Sequence, residues 1–485
     1  MPAIQVTLLS SEIMPYAKSG GLADVAGALV RYLRKPQVNV RAFMPLYPVV
    51  KRNFPNLKPV LGLQQLHMTL GAFRYDYALY TTNFPGTDLP VYFVDCAALF
   101  ERPALYTFDA DEHRRFILFT RAAIECSRGL GFATQIFHCN DWHTALLPLF
   151  LRTIYAADPA LARAKSVMTV HNIGYQGIFP AGAVPDLGLG MGWTQLDQED
   201  LTHGVVNTLK TGVRLADRVT TVSPTYAREI CESPLGMGLE GVLRARGDRV
   251  VGILNGVDYA EWDPHYDTHL AAPYDAQDLR GKPVNKRALL ALIRLQAPPE
   301  QPLIGMVTRL AEQKGIDLLY EALPALLDSR AFGLVVLGSG DTRYQDFFRG
   351  LVQRYPGRVA FEQGYDEALA HLIEAGSDIF LMPSRYEPCG LNQMYSLRYG
   401  TVPVVRRTGG LADSVQHFDP RSGLGTGCVF NDFDAPAVRW ALGTVLDWFA
   451  DQASWQKLVA NGMAQDFSWD RQVGEYETLY RSMLA

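Results

Sequence analysis

Short apolar runs recur along the chain, and longer stretches with a helical period lie between them. The runs are apolar at consecutive positions rather than at every second one. That is the pattern of parallel strands covered by helices on both faces. It predicts strands at Ile4–Ser10, Val40–Met44, Val91–Val94, Gln135–Cys139, Ser166–Val170 and Arg218–Val222. A second set follows at Leu303–Val307, Gly333–Leu337, Val359–Glu362, Ile379–Met382 and Val402–Val405. Helices are predicted over Leu22–Arg34, Arg114–Arg128, Trp142–Tyr155, Ile316–Leu327, Arg343–Arg354 and Leu391–Tyr399. Strand–helix alternation of this kind specifies a parallel α/β sheet.

The alternation pauses at about 180–201 and again at 260–283, before a fresh strand at Leu303. A chain of 485 residues exceeds what one core organises. The break is placed at Val251–Asn255, giving doubly wound domains at 1–252 and 253–458. Such sheets bind ligands beyond the carboxyl ends of their strands, so two domains facing each other would form a cleft. There is also an internal echo: Lys18-Ser-Gly-Gly-Leu-Ala-Asp24 resembles Arg407-Thr-Gly-Gly-Leu-Ala-Asp413. Either the two halves share one turn, or two Gly-Gly turns coincide by chance.

Composition narrows the function. The chain is 48% hydrophobic, which argues for a folded protein rather than a disordered one. Its net charge of -5 lacks the basic surplus that binding long nucleic acid requires. Six cysteines, none in CxxC pairs, fit a reducing compartment better than a disulfide framework. The start lacks the pattern of a secretion signal or transit peptide, and no apolar run suits a membrane span. A cytoplasmic protein is expected, or one of a plastid stroma if a transit peptide has been trimmed away.

Candidate chemistry gathers at predicted strand ends. Gly20-Gly21 opens a helix beside Lys18. Glycines allow close backbone approach and positive φ, and the N–H groups of a helix start favour an anion. A plain strand-to-helix turn would read the same way. In the second half Arg309 and Lys314 follow the strand ending at Val307, where they suit phosphate oxygens or stand as solvated charges. Ser384 to Asn392 follows Met382. It carries Glu387, either a site carboxylate or a helix cap, and an anion nest at Gly390–Asn392. His171-Asn172 and Asp141-Trp142-His143 end two further strands, and Asp141 could instead cap the helix at Trp142. There is no P-loop and no GxSxG elbow, and His138 with His143 lacks zinc-site spacing.

These residues resemble bacterial glycogen synthases and plant starch synthases, from end to end of the chain. The resemblance runs through Lys18-Ser-Gly-Gly-Leu, Asp141-Trp-His, Thr169-Val-His171-Asn172 and Val222-Ser-Pro-Thr-Tyr-Ala227. It continues through Asn255-Gly-Val-Asp258, Arg309 to Lys314-Gly315, Pro383 to Gly390, Arg407 to Leu411 and Phe467-Ser-Trp469. It implies the two-domain GT-B fold, with a C-terminal segment (459–485, its helix from about Asp470) packing back on the first domain. It implies retaining transfer of glucose from ADP-glucose to the non-reducing end of an α-1,4-glucan, such as glycogen, starch or a maltooligosaccharide, with no metal or other cofactor.

The roles follow from the same resemblance. Lys18, Gly20 and Gly21 would hold the donor diphosphate, opposed by Arg309 and Lys314. Glu387 would meet the donor glucose, with Cys389, Gly390, Leu391 and Asn392 lining its turn. Tyr365 would stack near the adenine, and His171 would lie by the reacting carbon. Asp24, Tyr106, Asp141 and Asn255 would belong to the sugar or acceptor side. Two departures stand out. Tyr395 occupies the place, eight residues after Glu387, where many relatives keep a second glutamate, which favours the ADP-glucose subgroup. Asn392 replaces a common threonine. Rival readings are a pyridoxal phosphate-dependent glucan phosphorylase, a UDP-glucose transferase and a silent glucan-binding protein.

Overall fold

A computed structural model describes residues 3–33 and 37–485. Two compact units emerge. One comprises Met1–Val222, Ala227–Ile253 and Trp469–Ala485, the other Ser223–Tyr226 and Leu254–Ser468.

In the first unit the strands run in the order Val250–Gly252, Arg218–Thr221, Lys165–Val170, Ile136–Asn140, Ile4–Leu9, Val38–Pro45, Pro90–Asp95, all parallel. An antiparallel ribbon, built on Phe73–Asn83, extends the Pro90 edge. The order reverses between Ile4–Leu9 and Ile136–Asn140. In open α/β sheets the reversal point is where ligands bind. The Lys18 turn leaves one of these strands and Asp141 leaves the other.

The second unit repeats the logic. Its parallel order is Val359–Gln363, Gly333–Gly338, Leu303–Val307, Ile379–Met382, Val402–Arg406, Cys428–Phe430. Here the reversal falls between Leu303–Val307, which leads to Arg309 and Lys314, and Ile379–Met382, which leads to Glu387. In each sheet the switch point is thus flanked by candidate residues, Lys18 and Asp141 in the first unit and Arg309, Lys314 and Glu387 in the second.

Three expectations need correction. Trp142–Tyr155 is not one helix but a 3-10 turn, Trp142–Thr144, followed by Leu147–Arg152. Pro148 explains the break, because a continuous helix would drive its ring into the carbonyl of Thr144. The helix expected from Ile316 begins as a 3-10 turn and becomes α-helical at Leu319. The C-terminal return starts at Trp469 rather than 459, since Val459 and Met463 fill the second unit's core. Arg34, the expected end of the first helix, lies outside the described residues.

The returning helix Trp469–Leu484 is tied down by a buried polar chain. Tyr480 Oη meets His138 Nδ1 at 2.7 Å, and His138 Nε2 meets Thr169 Oγ1 at 2.6 Å. Thr169 Oγ1 in turn meets Thr220 Oγ1 at 2.6 Å. Burial pushes the His138 imidazole down to about 3, so it stays neutral. Both ring nitrogens are spent, which accounts for this histidine without a metal. Replacing Tyr480 with Phe keeps the shape but orphans a buried nitrogen. The expected cost is about 1–3 kcal/mol, read as a lower denaturant midpoint. An unchanged midpoint would show that the chain carries no stability.

Candidate active site

The Lys18 turn is organised by a residue that the sequence reading passed over. Glu12 is buried just past the first strand. Its carboxylate accepts hydrogen bonds from the Ser19 N–H, from Ser19 Oγ at 2.7 Å, from the Gly20 N–H at 3.3 Å and from the Tyr106 hydroxyl. Tyr106 also meets Ser11 Oγ at 2.8 Å and stacks on His143, ring centroids 4.6 Å apart. Two of the N–H groups expected to face an anion are thus held by Glu12. Those further into the helix, from Gly21 onward, are not among its donors. Gly20 is extended at φ -160, so positive φ is not what the glycines supply. A Cβ added at Gly20 or Gly21 would meet nothing within 4 Å, so the chain itself does not require glycine there.

Lys18 Nζ lies 2.7 Å from Asp24 Oδ1, both partly exposed. An exposed pair of this kind contributes about 0–1 kcal/mol, so it holds the Lys18 ammonium only weakly.

Asp141 is held at φ 54 and ψ -177, a region that side chains rarely occupy. It does not cap the following turn. Its carboxylate instead reaches back to the neighbouring strand end, accepting from the His171 N–H at 2.7 Å and from the Asn172 N–H. Burial pushes this carboxyl up to about 7 against those hydrogen bonds. His171 Nε2 lies 2.9 Å from Asn140 Oδ1, while Asn140 Nδ2 donates to the Leu9 carbonyl at 2.9 Å. That second bond fixes the amide, so Oδ1 only accepts and His171 must carry its proton on Nε2. Burial pushes the His171 imidazole down to about 3 and keeps it neutral. His143 is a packing residue, set among Tyr106, Phe116 and Trp142.

In the second unit, Lys314 and Glu387 form an ion pair at 2.6 Å, with side chains only 17% and 7% exposed. Ser384 Oγ donates to the same carboxylate oxygen at 2.9 Å. Glu387 is therefore not a helix cap. The two turns are laced together, with the Arg385 N–H donating to the Gln313 carbonyl at 2.9 Å. Arg309 stands exposed, its guanidinium 3.4 Å from Gln313 Oε1. Asn392 Nδ2 donates to the Val307 carbonyl at 2.8 Å, so the amide clasps the strand that leads to Arg309. Gly390 turns the chain at φ 72. The buried Cys389 thiol is pushed up to about 12, chiefly by burial, and hydrogen-bonds with Asn255. Tyr365 is exposed. Tyr395 stacks on Trp262 with centroids 3.9 Å apart and planes 3° apart.

The second Gly-Gly turn differs from the first. A Cβ at Gly409 would run into the Glu387 carbonyl, and one at Gly410 into that of Cys389. Asp413, the counterpart of Asp24, accepts from the Thr225 N–H at 2.7 Å and from Thr225 Oγ1 at 2.6 Å. Here the glycines are required by the protein's own backbone.

The family described as "Starch synthase catalytic domain" matches residues 5–245, and "Glycosyl transferases group 1" matches 293–457. A glycogen synthase from Koribacter versatilis is 46% identical over 483 residues, 98% of each chain. The chain belongs to the glycogen synthase family. Another member, from Pseudothermotoga lettingae, is 40% identical over 99% of each chain. Among solved structures, the catalytic domain of starch synthase IV from Arabidopsis thaliana, bound to ADP and acarbose, aligns with TM-score 0.90. It is 33% identical, over 100% of both chains. Sucrose-phosphate synthase from Thermosynechococcus elongatus aligns with TM-score 0.62 at 19% identity over 99% of both chains, a likeness of fold. The fold is GT-B, with two Rossmann-like units, and the protein is a hexosyltransferase. Among the described residues no helix is long and apolar enough to cross a membrane.

Asp141 and the two neutral histidines titrate with opposite sign. The folded state binds the Asp141 proton more tightly than the unfolded chain does, so this carboxyl loses stability as pH rises from about 4 to about 7. His138 and His171 lose stability as pH falls below their ordinary range, since folding keeps them neutral. Asp141→Asn keeps an oxygen for the His171 N–H and removes one titration. Compared with the parent it should gain about 1.4 kcal/mol per pH unit across that window, measured by denaturant unfolding. Parallel pH profiles for variant and parent would contradict the assignment.

Proposed function

We propose that the chain moves glucose from ADP-glucose onto the 4-hydroxyl at the non-reducing end of an α-1,4-glucan, retaining the anomeric configuration and releasing ADP. One observation carries the donor side of this reading. Gly20-Gly21 stands at a switch point beside Lys18, in a turn whose glycines the fold does not need. An external group that must approach the backbone closely accounts for them. The ADP and acarbose in the starch synthase IV structure support a nucleotide and a glucan as the two ligands.

In this reading Lys18 and the N–H groups from Gly21 onward are the first unit's diphosphate ligands, and Arg309 is the second unit's phosphate-binding cation. The anomeric C–O bond to phosphate breaks and negative charge grows on the leaving oxygen, where fixed cations and N–H donors are most effective. The acceptor oxygen bonds the same face of the carbon, and its proton passes to the departing phosphate. Glu387, neutralised by Lys314, accepts from donor hydroxyls. A neutral His171 suits a carbon that is becoming cationic, because an imidazolium there would repel it. Tyr365 offers a face to adenine, and Asn255, Asp141 and Tyr106 stand on the sugar side or hold it in place. The reaction so written uses no metal and no organic cofactor. Tyr395, spent on Trp262, is not offered to a ribose, in keeping with the ADP-glucose subgroup. Six unpaired thiols, most of them buried, support a reducing compartment such as the cytoplasm.

The test is incorporation of labelled glucose into glycogen and maltooligosaccharides, with ADP-glucose and UDP-glucose in parallel. Faster transfer from ADP-glucose is expected, and transfer from neither donor would sink the proposal. Arg309→Ala should lose roughly a hundredfold or more in turnover with unfolding unchanged. Lys314→Ala should lose turnover and also about 3–5 kcal/mol of stability, because Glu387 is left buried without its partner. Near-parent turnover in both variants would remove them from the donor site.

A further inference from the structure

Away from the donor residues, the second unit holds a cluster assembled as a cation site is assembled. Glu367 opens the helix Glu367–Gly376 and His371 follows one turn later, so both lie on one face. Glu261 approaches from the segment after Val257. One oxygen of each carboxylate and one nitrogen of the imidazole lie within 4.8 Å of one another. Both glutamates are exposed, whereas the histidine is fully buried.

The histidine supplies the independent observation. His371 Nδ1 lies 2.8 Å from Asp267 Oδ2. The same carboxylate accepts from the Tyr399 hydroxyl at 2.6 Å and, through Oδ1, from the His269 N–H at 2.9 Å. A carboxylate with those donors only accepts, so Nδ1 carries the proton and Nε2 keeps its lone pair. Nε2 is buried and has no hydrogen-bond partner. A buried acceptor left without a donor is unusual and costly. A carboxylate holding one imidazole nitrogen while the other faces a carboxylate pair is how metal-ligating histidines are oriented. The ring is also fixed in place. Trp262 stacks on His371 at 3.7 Å and 14°, and on Tyr395 at 3.9 Å and 3°. Two rings that close cannot share one face, so Trp262 is sandwiched between them.

The geometry points to a site for one divalent first-row transition cation of the Zn²⁺ class, held by Glu261, Glu367 and His371. The imidazole and two carboxylates favour such an ion over Mg²⁺ or Ca²⁺, which take oxygen shells, and leave room for water in the coordination sphere. The ion would staple the Glu261 segment to the helix that begins two residues after Tyr365. It would also brace the Trp262–Tyr395 stack. Its role is to stabilise and tune that side of the unit, not to take part in glucose transfer.

Tag-free full-length protein, stripped with a chelator, is titrated with Co²⁺ and then challenged with Zn²⁺. The expected result is a visible ligand-field absorption that saturates at one equivalent, lacks thiolate charge-transfer bands and is displaced by Zn²⁺. Zn²⁺ should also raise the melting temperature of the parent. Glu261→Gln and Glu367→Gln alter exposed side chains and should fold normally. Each should weaken Co²⁺ binding at least about tenfold. The proposal is overturned by the absence of a saturable band, by a thiolate band, or by parent-like affinity in both variants.

Discussion

A carboxylate taken out of water must be given hydrogen-bond donors, and this chain obtains them from the loops that carry its candidate site. Glu12 gathers Ser19, Gly20 and Tyr106. Asp141 gathers the main chain at His171 and Asn172. Glu387 gathers Lys314 and Ser384. Each acid sits just past the end of a strand beside its sheet's switch point, so satisfying it also fixes a loop of the candidate site. These three acids are buried, and Arg309 is exposed.

The two Gly-Gly turns show how similar residues answer different constraints. Gly409 and Gly410 lie against the backbone of Glu387–Cys389, where a side chain has no room. Gly20 and Gly21 face open space. One pair packs against the turn that carries Glu387, and the other stands in a turn with room to spare. The aspartates diverge in parallel, Asp413 bracing Thr225 and Asp24 pairing with Lys18.

Much of this was legible in the chain. Buried parallel strands are apolar at consecutive positions, so Leu303–Val307 and Ile379–Met382 could be placed to the residue. The ribbon at Phe73–Asn83 was not, because a half-exposed edge strand mixes polar and apolar residues. Motif reading found Lys18, Arg309, Lys314 and Glu387, but not that the last two neutralise each other, since pairing across 73 residues is a property of the fold. Glu12 was missed although its signal was present, an acid three residues past an apolar strand. The positive φ of Asp141 had no signal, because aspartate is not the residue such a backbone favours.

The central claim is that the first turn keeps its glycines for a nucleotide diphosphate. Calorimetric titration of ADP into the parent and into Gly21→Ala, with a melting curve for each, tests it most directly. The variant should melt at or slightly above the parent temperature, because alanine suits a helix start that has room for it, yet bind ADP at least about tenfold more weakly, a loss of about 1.4 kcal/mol. Equal affinity for ADP in the two proteins, with folding intact, would contradict it.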